Sequence, residues 1–141
     1  FLFAHDMIKD PEIPDRPSYV EDLASYIASQ RIGIEVCITS NLQTTPSIKT
    51  IADHPIGKML DYGLSISICT DNRLVSNTTV CREMELVVDH IGLSRHQLLN
   101  LVIAGFKGSF FPGSYNAKRD FVAAVVARYR RLEDEILPPL A

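Results

Sequence analysis

The chain has 141 residues, 46% of them apolar, with a formal charge of −3 and a pI near 5.8. That size and apolar content suit one domain with a real core and argue against disorder. The acidic balance leaves no basic patch, because Arg128, Arg130 and Arg131 are answered at once by Glu133, Asp134 and Glu135 in what reads as a solvated helix face, so nucleic acid is not an expected partner.

No apolar stretch approaches the roughly 18 residues of a membrane span, and no charged-then-apolar signal opens the chain. A soluble cytoplasmic protein without a membrane partner is the default expectation. Cys37, Cys69 and Cys81 are odd in number, form no CxxC pair and lie in apolar patterns, so neither a disulfide framework nor a zinc knuckle is expected. The opening Phe1-Leu2-Phe3-Ala4 lacks an initiator methionine and reads as the exit of an apolar strand already under way. A piece of something longer is expected.

In chain order, Tyr19, Leu23, Tyr26 and Ile27 recur at helical spacing after the segment Pro11 to Pro17, predicting a helix over roughly Ser18 to Ser29. An apolar run from Ile32 to Ile38 predicts a strand that ends in the polar Thr39-Ser40-Asn41, with a loop to Pro46. A broken helical stretch follows from Ser47 to Tyr62, interrupted at His54-Pro55 and closed by Gly63. The run from Leu64 to Cys69 predicts a second strand, ending in Thr70-Asp71-Asn72. About 30 residues separate the two strand starts, the length of a βαβ crossover between parallel strands.

Past Asn72 the pattern is helical. Val80, Met84, Val87, Val88 and Ile91 share one face before Gly92, and Ser94 opens a helix with an apolar face of Leu98, Val102, Phe106 and Phe110. Pro112-Gly113 breaks the pattern before a last helix carrying Phe121, Val122, Val125, Val126, Tyr129, Leu132 and Ile136. Two parallel strands with so many helices make a poor complete sheet.

Both strands end in polar clusters, where α/β folds keep their chemistry. Cys37-Ile38-Thr39-Ser40-Asn41-Leu42-Gln43, then His54-Pro55, then Ser67-Ile68-Cys69-Thr70-Asp71-Asn72, in that order, resemble the C-terminal third of the adenosine deaminase family of metal-dependent amidohydrolases. The match runs from about Leu2 into the last helices. The family's first motif reads Cys-Pro-x-Ser-Asn at the end of the seventh strand, with Ile38 here in place of the proline. Its last reads Thr-Asp-Asp or Thr-Asp-Asn at the end of the eighth.

The resemblance implies an α/β fold that is the C-terminal segment of a (β/α)8 TIM barrel: the last two parallel strands plus flanking and C-terminal helices. Residues 1–141 would be the C-terminal part of a single deaminase domain whose N-terminal strands are absent from this chain. The implied activity is zinc-dependent hydrolytic deamination of adenosine or a related 6-aminopurine, giving an inosine-type product and ammonia, in purine metabolism. Asp71 would be a zinc ligand and catalytic carboxylate, with one Zn2+ per complete site, and could also orient the nucleophile. Asn72 would donate to N7 of the purine, since its amide carries a donor at any pH. The implied partners are a purine nucleoside or base and the N-terminal part of the barrel.

The family's other zinc ligands, a His-x-His pair and a fifth-strand histidine, do not occur in this sequence, nor does its His-Ala-Gly-Glu motif or the histidine that follows Ile-Gly. His5 is a weak substitute for the last, since it lies beyond Leu2-Phe3 in a polar insertion.

Each residue also has a plainer reading. Asp71-Asn72 is commonly an Asx turn or helix cap, Ser40 and Asn41 more readily brace the loop than touch substrate, and His54 reads as structural. Cys37 and Cys69 read as small core residues, and Gly105 and Gly108 as close helix packing rather than a phosphate loop. The alternative function is a non-catalytic α/β binding or interaction module with Asp71 as a turn residue.

Overall fold

The computed structural model describes residues 2–3 and 5–136. In chain order they form α1 (Arg16–Ser29), β1 (Gly33–Val36), α2 (Ile38–Thr44), α3 (Ile56–Asp61), β2 (Ser65–Ile68), α4 (Arg73–Ser76), α5 (Val80–Ile91), α6 (Arg95–Gly108) and α7 (Tyr115–Ile136), with 3-10 turns at His5–Met7 and Ile51–Asp53. The strands pair in parallel, Gly33 opposite Ser65 and Val36 opposite Ile68. Parallel pairing was the sequence expectation, and it puts both strand ends on one rim.

Helix α1 starts two residues earlier than the periodicity suggests, because Asp15 caps it by accepting from the Ser18 amide at 3.1 Å. It buries Val20 and Ala24, whereas Tyr19 and Tyr26 are exposed, so the buried stripe is rotated from the expected one. The stretch before β2 divides as expected. His54-Pro55 separates the 3-10 turn from α3, and Gly63, at φ +69°, ends it in the left-handed conformation that glycine adopts without penalty.

One expected loop is a helix. Residues Ile38–Thr44 form α2, and its first residue is fully buried. Tertiary contacts override the weak helix propensity of Thr39, Ser40 and Asn41.

Val36, Ile38, Ile56, Met59, Leu64, Ile66, Ile68, Val87 and Leu101 form the core, with Leu2 and Phe3 packed against it. The strand exit expected at the opening is seen here as a turn at residues 2–3, while Phe1 and Ala4 lie outside the described residues. On α5 the buried positions are Glu83 and Val87, and the expected Val80 and Val88 face outward.

Thr79 caps α5 and Ser94 caps α6, the latter in a reciprocal box with Gln97. Helix α6 lies on β2, where a Cβ on Gly105 would sit 3.7 Å from that of Ser67. The close-packing reading holds for Gly105, but Gly108 faces open space. Phe121 of α7 meets Phe106 and Phe111 with ring centroids 5.7 and 5.2 Å away. Phe110 falls past the end of α6 and is fully exposed rather than on its apolar face.

Candidate active site at the strand ends

Because β1 and β2 run in parallel, the segments leaving their C-terminal ends meet. The Cys69 amide donates to the Val36 carbonyl at 2.9 Å, carrying the ladder one residue past β2. Ser40, in the first turn of α2, then donates from Oγ to Asp71 Oδ2 at 2.8 Å. Ser40 is buried and Asp71 exposed, so the hydroxyl holds the carboxylate from below. Asp71 sits at φ +54°, a left-handed backbone that most non-glycine residues avoid and aspartate tolerates. Its Oδ1 accepts no hydrogen bond among the described residues.

Asn72 is the cap of α4. Its Oδ1 accepts from the amides of Leu74 and Val75, both at 3.1 Å, so the plainer reading of this residue as a cap is what the geometry shows. The two amide donors fix which way the side-chain amide faces: the oxygen is engaged and Nδ2 remains to donate elsewhere.

Asn41 and His54 meet. His54 is buried, its Nδ1 accepts the Ile56 amide at 3.2 Å, and its Nε2 therefore carries the proton, donating to Asn41 Oδ1 at 3.0 Å. Burial lowers the imidazole pKa from its ordinary value. The pair ties the entry of α3 to α2, a structural role for His54 and a bracing one for Asn41. Ser40 and Asn41, expected in a loop, act from the first turn of α2 instead.

Cys37 and Cys69 are half-buried. Burial, reinforced by the neighbouring Cys69, pushes the Cys37 thiol up to about 11, and burial also raises Cys69. Both stay protonated near neutral pH. His5 lies exposed in the first 3-10 turn.

The residue that reading the sequence missed is Glu83. It has no solvent exposure, and it accepts from the Thr39 amide at 3.0 Å, from the Thr39 hydroxyl and from the Thr78 hydroxyl at 2.7 Å. Cys37 makes no side-chain cap to α2, so a carboxylate 44 residues from Thr39 serves that helix N-terminus instead. The signal was present: Glu83 lies four residues before Val87, on the face that a charged residue normally leaves.

Among the described residues no group of three or more His, Cys, Asp or Glu side chains converges as a metal cage would. Asp71, an exposed carboxylate with one oxygen held and one open, fits as a single ligand of a larger set.

The adenosine deaminase family profile matches residues 6–127. Adenosine deaminases from Salmonella heidelberg and Salmonella agona are each 39% identical over 108 residues, covering 74% of this chain and 32% of the relative. The chain belongs to the adenosine deaminase family. It spans about a third of the length of the curated relatives it matches. An amidohydrolase from Burkholderia ambifaria, whose crystal structure contains bound Zn, superposes with a TM-score of 0.69 at 26% identity, covering 81% of this chain and 31% of that one. The two parallel strands and their helices thus resemble part of an amidohydrolase barrel.

Proposed function

We propose that residues 1–141 form the C-terminal part of a single (β/α)8 deaminase domain, supplying its last two strand ends. The assembled enzyme would remove the 6-amino group of adenosine or a related 6-aminopurine: water adds its oxygen at C6, the C6–N bond breaks and ammonia leaves. The observation that carries this reading is the Ser40–Asp71 contact, which joins two parallel strand ends through a carboxylate with an open oxygen. Family membership and the Zn-containing structural neighbour support it.

Zinc, when bound, supplies a water whose pKa falls toward ~7 and so a nucleophile at neutral pH. Asp71 would offer Oδ1 to the metal while Ser40 fixes Oδ2. Asn72 would donate from Nδ2 to purine N7, its orientation set by the α4 cap.

The test uses the full-length protein that carries this segment. Ultraviolet loss of adenosine, with zinc content measured in parallel, should be abolished in Asp71→Ala together with tightly bound metal. Retention of both would overturn the proposal in favour of a binding module.

A further inference from the structure

Glu83 is a carboxylate without any exposed surface, and among the described residues it forms no ion pair. Such a group is costly to bury unless its oxygens are fully engaged. Here three donors converge on it, and all of them come from the two segments that lead to and from the rim. Thr39 precedes Ser40, whose hydroxyl holds Asp71. Thr78 lies between α4, which Asn72 caps, and α5.

We propose that Glu83 is a positioning residue: from α5 it locks the first turn of α2 through Thr39, so that Ser40 meets Asp71 in one orientation. This rests on the reading of Asp71 as a metal ligand and adds the support that aims it. The alternative of simple packing does not account for the carboxylate, because an apolar side chain of similar volume would fill the space without the desolvation cost. The position demands acceptors, and those acceptors face the N-terminus of α2, which receives no side-chain cap from its own N-cap residue Cys37, beside Ser40.

The experiment compares Glu83→Ala, Glu83→Gln, Ser40→Ala, the Ser40→Ala/Glu83→Ala double variant and Asp71→Ala in the full-length protein. It measures zinc retained against a chelator and steady-state turnover of adenosine. Glu83→Ala should lose about tenfold or more in zinc affinity and in kcat, with KM nearly unchanged. Glu83→Gln should restore most of that loss, because its oxygen can take the Thr39 amide while the hydroxyls turn to accept from its NH2. The double variant should be no slower than the Glu83→Ala single, since the two act in series. If Glu83→Ala does not fold, Thr39→Val, which deletes only one of the three donors, carries the same expectations against Ser40→Ala.

Losses that multiply in the double variant, or normal zinc and kcat in the Glu83 variants while Asp71→Ala abolishes both, would overturn the positioning role alone. Zinc and turnover surviving Asp71→Ala would instead sink the deaminase reading of the site, and this inference with it.

Discussion

His54 Nε2 lies 3.0 Å from Asn41 Oδ1, fastening the turn before α3 to the helix that carries Ser40. Burial holds the imidazole below its ordinary pKa against the opposing pull of the Glu83 charge, and Nδ1, already accepting the Ile56 amide, has no room for a second proton. As pH falls below about 6.5, the unfolded chain takes up a proton that the folded one refuses, so stability drops with acidity in that window. Urea unfolding of the full-length protein between pH 8 and pH 5.5 should show this decline, and His54→Gln should flatten it. Equal slopes in the two proteins would contradict the assignment.

Ser40→Ala should cost more in metal than in fold. The hydroxyl donates to an exposed carboxylate, where water takes over much of the lost bond, and supporting bonds of this kind typically carry about 10–100-fold in metal affinity. Zinc retained after dialysis against a graded chelator should fall by that order, with the thermal midpoint little changed.

For Asn72, capping and substrate contact can be separated. Aspartate caps a helix as well as asparagine does, so Asn72→Asp should leave stability intact while making turnover more sensitive to alkaline pH, because a carboxyl donates to N7 only when protonated. Asn72→Ala should lose about 0.5–2 kcal/mol of stability as well. If 7-deaza-adenosine binds the unmodified enzyme as tightly as adenosine does, the N7 contact is wrong.

At Gly105 there is room for a methyl against β2. A Cβ would stand 3.7 Å from that of Ser67, an ordinary contact, so Gly105→Ala should stabilise by about 1 kcal/mol through helix propensity. Gly105→Leu should destabilise by about 1–3 kcal/mol by forcing α6 off β2. Thermal unfolding of the two variants in opposite directions would confirm the packing.

What the sequence made legible was governed by local chemistry. Strand ends marked by Thr39-Ser40-Asn41 and Thr70-Asp71-Asn72, and stops at Gly63 and Gly92, announce themselves within a few residues. Helix α2 does not, because Thr39, Ser40 and Asn41 read as loop and the group that serves their helix N-terminus lies 44 residues from Thr39. The amphipathic faces of α1 and α5 were misread for a related reason. Tyr19, Tyr26, Val80 and Val88 obey helical spacing, yet burial went to the small Ala24 and the charged Glu83, choices set by the neighbours each helix meets.

On the proposal that Asp71 holds zinc, its positive φ sets folding and chemistry at odds over a single residue. Judged by backbone alone, glycine or asparagine would sit at this bend with less strain, and a chain released from any need for a carboxylate could drift to either without harm to its core. Under that proposal position 71 would be a meter of selection: what stands there in a lineage would report whether its chemistry is still in use, even where the fold persists unchanged.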